Sequence, residues 1–184
     1  LFKTYIMKKL ILLLSVFAFT LGMNAQNETF TYPNNVGDEL RGQYIVIEEK
    51  GTAQENYSKV INYINKSYNT PSEVIKSQIE GKYIRIEGVS KMFKGAGTTY
   101  HTIEFNFKQD KIQVKLLNLE TRYRGTVQST IAYSTYDATH KSSGEVKNSK
   151  MNIAIKIVNG VNKLTEGIKT GIAQESSETP DDDW

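Results

Sequence analysis

Two consecutive stretches of the chain alternate between apolar and polar residues, and this pattern restricts the fold more than any other feature. The stretches are residues 100–108 and 111–119, and a Gln109-Asp110 pair suited to a turn separates them. Successive side chains of a β-strand point to opposite faces, so the pattern predicts two antiparallel strands with one covered face and one wet face. The positions predicted to lie on the covered face are His101, Ile103, Phe105, Phe107, Ile112, Val114 and Leu116.

A helix is predicted upstream of these strands. Thr52 and Glu55 have the spacing of a capping box, in which the Thr hydroxyl accepts a backbone N–H and the Glu reaches back to the cap. Apolar residues then recur at helical spacing until Pro71 ends the pattern. The predicted buried stripe consists of Tyr57, Val60, Ile61, Ile64 and Tyr68.

Three further stretches are predicted to be strands. Residues 43–49 lie before the helix, and residues 73–80 and 82–91 follow it. Residues 43–49 are rich in β-branched and aromatic residues, as strands are. In residues 82–91, Ile84 and Ile86 alternate with polar neighbours. The KGAG sequence at residues 94–97 predicts a flexible turn that leads into the next strand.

The C-terminal part of the chain predicts a second helix. Residues 120–147 are polar and form a long excursion, with a short strand expected at about residues 131–136. Residues 148–169 then show helical periodicity. The buried stripe of this helix is predicted to be Ile153, Ile157, Val161, Leu164 and Ile168, widened by Ala154 and Val158.

The predicted order of elements is therefore β-α-β-β-β-β-α. This order indicates a single α+β domain in which two helices cover one face of a curved antiparallel sheet. The opposite face of the sheet is then left exposed to solvent.

The N-terminal stretch has the organisation of a secretory signal peptide. Lys8 and Lys9 form a basic head, an uncharged apolar run covers residues 10–21, and Ala25 lies at a plausible cleavage site. A buried helix or an N-terminal anchor is the alternative, but the run is shorter than the roughly 20 apolar residues that a membrane span requires. We therefore expect residues 1–25 to be removed during export, leaving no stable transmembrane span.

Removal of this segment defines the expected domain boundaries. The signal is cleaner if translation starts at Met7. Residues 26–42 read as a linker or arm, residues 43–172 as the folded domain and residues 173–184 as an acidic disordered tail. The expected location of the mature protein is the periplasm or the extracellular space.

The charge balance also changes when the signal is removed. The full chain has 23 basic and 20 acidic residues, and loss of Lys3, Lys8 and Lys9 leaves 20 of each. Nucleic-acid binding requires a dense basic surface, which this balance does not favour. The chain contains no Cys, so disulfides, thiolate metal sites and a Cys nucleophile are excluded.

The sequence resembles a known domain family. The stretch IVIEEKGTAQENYSKVINYINKSYNTPSEVIKSQIEGKYIRIEG, residues 45–88, and TYHTIEFNFKQDKIQVKLLNL, residues 99–119, carry the resemblance. The family is an uncharacterised domain of secreted Gram-negative bacterial proteins with a predicted TATA-binding-protein-like fold. The resemblance implies that fold and no activity, and a fold name does not imply DNA binding.

No standard catalytic or cofactor site is recognisable in the sequence. His101 is expected in the core or at a sheet edge, and His140 in an exposed polar loop. The two histidines have no metal-binding spacing, and KGAG lacks the order of a phosphate-binding loop. Nucleophile motifs are absent. We therefore expect no catalytic, cofactor-binding or metal-binding residues.

The wet face of the sheet is the candidate functional surface. Tyr and Arg are enriched in binding surfaces, and both occur at positions predicted to lie on this face. An ordinary solvated face with cross-strand pairs is the alternative. The candidate binding residues are Tyr83, Arg85, Tyr100, Gln113 and Lys115.

These observations favour an exported, non-enzymatic binding or interaction module. Its partner is expected to be an unidentified protein or envelope ligand. The alternatives are an envelope-associated hydrolase with an unrecognised site and a structural subunit of an envelope assembly. The sequence does not specify the oligomeric state.

Overall fold

A computed structural model describes residues 28–90, 98–123 and 126–177 of the chain. Six strands and four helices occur in these residues, together with a short 3₁₀ turn at Ile131–Ser134. The strands are β1 (Tyr44–Glu48), β2 (Ile75–Ile79), β3 (Tyr83–Ser90), β4 (Thr98–Lys108), β5 (Lys111–Tyr123) and β6 (Thr126–Ser129). The helices are α1 (Ala53–Ser67), α2 (Pro71–Val74), α3 (Tyr136–Thr139) and α4 (Asn148–Ser177).

The strands form one antiparallel sheet in the order β1-β5-β4-β3-β2. β6 pairs with the end of β5, opposite residues 120–123, whereas β1 pairs with its beginning, opposite residues 111–115. β4 pairs with β5 along almost its whole length. The β4–β5 hairpin is therefore the centre of the sheet.

One irregularity interrupts the central hairpin. Ile103 pairs with Leu116, whereas the preceding residue on β4 pairs with Asn118, so Leu117 has no partner on β4. This bulge shifts the alternation of β5 by one residue. Leu119 consequently lies opposite His101 and is buried, together with the apolar side chains of the first half of β5.

Both long helices lie on the same face of the sheet, which confirms the predicted α+β fold. α1 contacts α4, β4 and β5, and its Val60 and Ile64 side chains are fully buried. The predicted capping box is present, since the Glu55 N–H donates to Thr52 Oγ1 and the Thr52 N–H donates to Glu55 Oε2. The helix ends at Ser67, four residues before Pro71.

α4 is longer than predicted and its buried stripe is shifted. The helix continues to Ser177, eight residues past the predicted end. Ile153 is exposed, so its predicted burial is wrong. Ala154 and Val158, which were predicted to widen the stripe, are both buried, so the core-facing side of the helix is centred closer to them than predicted. The buried residues of α4 are Ala154, Ile157, Val158, Val161, Thr165, Ile168 and Ile172.

Two other predicted strands differ from the structure. The strand expected at residues 131–136 is wrong, because the 3₁₀ turn and the start of α3 occupy this range. The strand that does occur in the polar segment is β6, which pairs with the end of β5. The strand expected at residues 73–80 begins two residues later, since Pro71 starts the single turn of α2.

The segment predicted as a linker is packed onto the domain. Phe30 and Leu40 are buried and belong to the main apolar core. Leu40 also donates its N–H to the carbonyl of Ser134. This segment is thus attached to the domain through Phe30 and Leu40, because these two apolar side chains are recruited into its core.

Three predictions lie outside the described residues: the signal peptide at 1–25, the KGAG turn at 94–97 and most of the acidic tail. In the residues that the structure does describe, no helix has both the length and the apolar character of a membrane span.

The crossing of α1 and α4 generates a testable prediction, because two Gly residues of α4 differ sharply in their surroundings. A Cβ atom on Gly171 would lie 2.3 Å from Cδ2 of Tyr63, whereas a Cβ atom on Gly167 would meet no atom of the described residues within 4 Å. We expect Gly167→Ala to raise the free energy of unfolding by about 1 kcal/mol through helix propensity. We expect Gly171→Ala to lower it by about 1–3 kcal/mol through overpacking.

Urea denaturation followed by circular dichroism measures both changes. Gly167→Ala is the matched control, since it makes the same chemical change four residues earlier in the same helix. Equal effects of the two substitutions would contradict the described crossing.

Candidate binding surface on the open face of the sheet

The open face is the side of the sheet that points away from α1 and α4. Directly paired residues of antiparallel strands share a face. Tyr83 pairs with Asn106, which pairs with Gln113, and these three side chains form one row across the sheet. The next row contains Arg85, Glu104 and Lys115.

Tyr100 lies further along the same face. It pairs with Val89 on β3 and with Glu120 on β5. The strand register therefore brings all five predicted binding residues, Tyr83, Arg85, Tyr100, Gln113 and Lys115, onto the open face.

A hydrogen-bonded network occupies the middle of this face. Arg85 donates from Nε and Nη2 to Glu104 Oε2, at 3.2 and 2.7 Å. The Nδ2 atom of Asn106 lies 3.2 Å from Glu104 Oε1 and 3.3 Å from Gln113 Oε1, and it donates to both. The network holds the Arg85 guanidinium in place while leaving much of its side chain exposed.

The network also keeps Glu104 ionised. Partial burial acts to raise the pKa of Glu104, but the hydrogen bonds from Arg85 and Asn106, with the charges of Arg85 and Lys115, outweigh it and leave the pKa below its ordinary value. Arg85 is therefore partly neutralised by a fixed carboxylate. A partner would meet a preformed and nearly balanced charge pair here, because both groups are already oriented.

A second fixed cation lies at the other end of the face. The Arg122 guanidinium carbon is 4.0 Å from the centre of the Tyr100 ring, in a cation–π contact. Sequence reasoning missed Arg122, since the predicted strand ended at residue 119. The signal was present, because polar residues continue at every second position through Asn118, Glu120 and Arg122 once the bulge is allowed for.

Exposed apolar side chains flank the predicted residues. Ile79 is 49% exposed and pairs with Tyr83, and Val89 is 53% exposed and pairs with Tyr100. Tyr44, 43% exposed, pairs with Lys115 on the β1 side. The open face therefore combines a polar centre with apolar positions near its margins.

The two histidines differ in their surroundings from the residues of the open face. His101 faces the core, where its Nε2 atom lies 3.4 Å from the Tyr68 hydroxyl. Gly88 pairs with it, and a Cβ atom there would lie 2.4 Å from His101 Nε2, so the close packing requires Gly. Burial lowers the pKa of His101 to about 4, so the ring is neutral at pH 7.

His140 is not freely exposed, contrary to the prediction. Its ring stacks on Tyr136 with 3.8 Å between the centroids and an angle of 7° between the planes. Its Nδ1 atom is 3.1 Å from the Tyr136 carbonyl oxygen. The residue ends α3, where the preceding helical turn supplies these contacts. In residues 28–90, 98–123 and 126–177, no group of three or more His, Asp or Glu residues is arranged to hold a metal ion.

The solved structures that resemble this chain include the following two. A DUF4468 family protein from Bacteroides ovatus has 13% sequence identity and a TM-score of 0.59, covering 84% of this chain and 95% of the other. A TBP-like protein from Parabacteroides distasonis has 10% identity and a TM-score of 0.45, covering 75% of this chain and 93% of the other. No family model matches the chain, and no curated protein sequence matches it.

The similarity to the first structure concerns the fold. It confirms, at that level, the resemblance to a domain of unknown function that the sequence indicated. The identity is too low to transfer a site or an activity. The functional argument therefore depends on this chain's own surface.

The buried neutral His101 predicts a pH-dependent stability. Its pKa is about 4 in the folded state and about 6.5 when unfolded, so the unfolded chain binds the extra proton. The free energy of unfolding should therefore fall as the pH decreases from about 6.5 toward 4. Between pH 7 and pH 5 this group accounts for a loss of about 2 kcal/mol.

Urea denaturation at the two pH values tests this expectation. His101→Gln should remove the His101-dependent loss, because Gln does not titrate. His140→Gln is the control and should retain the loss. If His101→Gln and the wild type lose equal stability, the buried neutral state is wrong.

Proposed function

We propose that this protein is an exported, non-enzymatic interaction module that binds a protein ligand of the cell envelope through the open face of its sheet. The observation that carries the proposal is the preorganised Arg85–Glu104 pair with exposed apolar residues nearby. Fixed charges and exposed aromatic side chains reduce the entropy lost on binding. The signal-like N-terminus supports the envelope as the compartment.

The chemistry of the face favours recognition over catalysis. Glu104 has a lowered pKa and an Arg partner, so it is a poor general acid or base near neutral pH. The buried His101 faces the core on the other side of the sheet. A protein ligand fits a surface on which Tyr44, Ile79 and Val89 extend from strands across the sheet.

The first test compares partner capture by matched variants. The tagged mature protein would be incubated with a detergent extract of the source bacterium's envelope, and the captured proteins quantified by mass spectrometry. We expect Arg85→Ala/Tyr100→Ala to lower the affinity for the captured partner at least tenfold, because truncated anchor residues typically cost more than 1 kcal/mol.

The control variant is Ile155→Ala/Lys156→Ala. It also removes a positive charge and an exposed large side chain, but from the outer surface of α4. It should bind like the wild type. Equal capture by the wild type and the Arg85→Ala/Tyr100→Ala variant would remove the open face as the binding site.

The compartment is tested separately. Cell fractionation should find the mature protein in the periplasm or the medium, and Edman sequencing of it should begin at Gln26. A cytoplasmic protein that retains residues 7–25 would overturn the proposed export.

A further inference from the structure

The N-terminal arm, residues 28–33, is held against the domain through its backbone. These residues lie outside all helices and strands. The N–H of Phe30 donates to Oδ1 of Asn162 at 2.7 Å, and Nδ2 of Asn162 donates to the Phe30 carbonyl at 2.9 Å. One side-chain amide from α4 thus satisfies both backbone groups of a single arm residue.

The next arm residue, Thr31, is held in the same way by the side chain of Gln43. The N–H of Thr31 donates to Oε1 of Gln43 at 3.0 Å, and Nε2 of Gln43 donates to the Thr31 carbonyl at 3.1 Å. Two carboxamides therefore imitate the pairing that a neighbouring strand provides. Such contacts recognise an extended main chain and do not depend on its side chains.

Side chains of the arm add the anchoring contacts. Phe30 is 3% exposed and lies in the main core, and Pro33 is also buried. Tyr32 is half-buried, and its hydroxyl is hydrogen-bonded to Oγ1 of Thr139 on α3. Thr31, between the two aromatic residues, is exposed. The arm consequently resembles a bound peptide with aromatic anchors on one side.

A short exposed hinge connects the arm to the rest of the domain. Residues 34–37 are all exposed, and Val36 is 77% exposed. Asn35 and Asp38 form a local turn in which the Asp38 N–H donates to the Asn35 carbonyl at 3.0 Å. The hinge can change its path without breaking the arm contacts described above, because those contacts involve residues on either side of it.

We propose that the site of the arm, formed by Gln43, Thr139, Asn162 and the core position of Phe30, is an exchange site that accepts the arm of a second copy of this chain. A second copy is the favoured occupant because its identical arm supplies every contact seen within one chain. Only the hinge conformation would differ between the two forms.

Because the arm is tethered to its own chain, it competes for the site with the arm of a second copy. A short tether gives the arm an effective concentration on the order of 1 mM at its own site. A wild-type chain at micromolar concentration therefore keeps its own arm. Exchange becomes measurable when the contact within one chain is weakened or when the hinge becomes too short to reach.

A complementation experiment tests exchange with full mature chains. Phe30→Ala has an intact site but a defective arm. Gln43→Ala/Asn162→Ala has an intact arm but a defective site. Sedimentation velocity with a fluorescent label on the second chain would compare each variant alone with a mixture at about 50 μM. We expect a one-to-one heterodimer in the mixture, at least tenfold tighter than the self-association of either chain.

The control is the triple variant Phe30→Ala/Gln43→Ala/Asn162→Ala, which should not bind Phe30→Ala because neither chain then offers an intact arm. Absence of the heterodimer, with circular dichroism and unfolding cooperativity like those of the wild type, overturns the proposal. The test is independent of the open face, since it changes no residue there.

A second variant keeps the proposal testable if Phe30→Ala does not fold. Deleting Asn34 and Asn35 from an otherwise natural chain shortens the hinge by roughly 7 Å. We expect this chain to form an arm-exchanged dimer at micromolar concentration, since the arm contacts are retained but the arm no longer reaches its own site. A folded monomer would overturn the proposal.

Discussion

The pairing of β4 with β5 is the constraint on which the rest of the structure depends. The hairpin turns at Gln109 and Asp110, between the paired residues Lys108 and Lys111, and Asp110 adopts a positive φ of 57°. Asp110 Oδ1 also accepts the N–H of Gly51, so the turn contacts the loop between β1 and α1. This register places one set of side chains in the core and the other in solvent. A slip of one residue would exchange the two sets and destroy both surfaces.

The end of the hairpin opposite the turn is packed differently, because α1 and Tyr68 approach the sheet there. The bulge at Leu117 restores Leu119 to the core, and Gly88 provides space for the His101 ring. Among the residues that the structure describes, His101 Nδ1 and Ser90 Oγ are buried without a hydrogen-bond partner. In the described residues, this end of the sheet thus has more buried polar atoms without a hydrogen bond than the apolar centre. The free-energy cost of burying them depends on the pH, because His101 is buried in its neutral form.

The open face and the arm site depend on different parts of the domain. On the open face, the Arg85–Glu104 pair is already formed, so a partner would dock onto a rigid surface supported by the central hairpin. The arm site instead depends on Asn162 from α4 and Gln43 next to β1, two residues that are far apart in the sequence. The proposed binding would therefore depend on the central hairpin, whereas the proposed arm exchange would also depend on the position of α4.

The sequence by itself determined the features that depend on neighbouring residues. The two-layer fold is predicted by the alternation in β4 and β5, the Thr52–Glu55 cap and the spacing of Val60 and Ile64. The alternation of side chains along the strands also predicts that the five candidate residues share one face of the sheet. Local chemistry is sufficient there, because backbone geometry decides which side chains share a face. Tertiary structure alone decided the bulge, the contact of Arg122 with Tyr100, the exposure of Ile153 on α4, and the burial of Phe30. These outcomes depend on which distant surfaces are available for packing, a property that no local pattern contains.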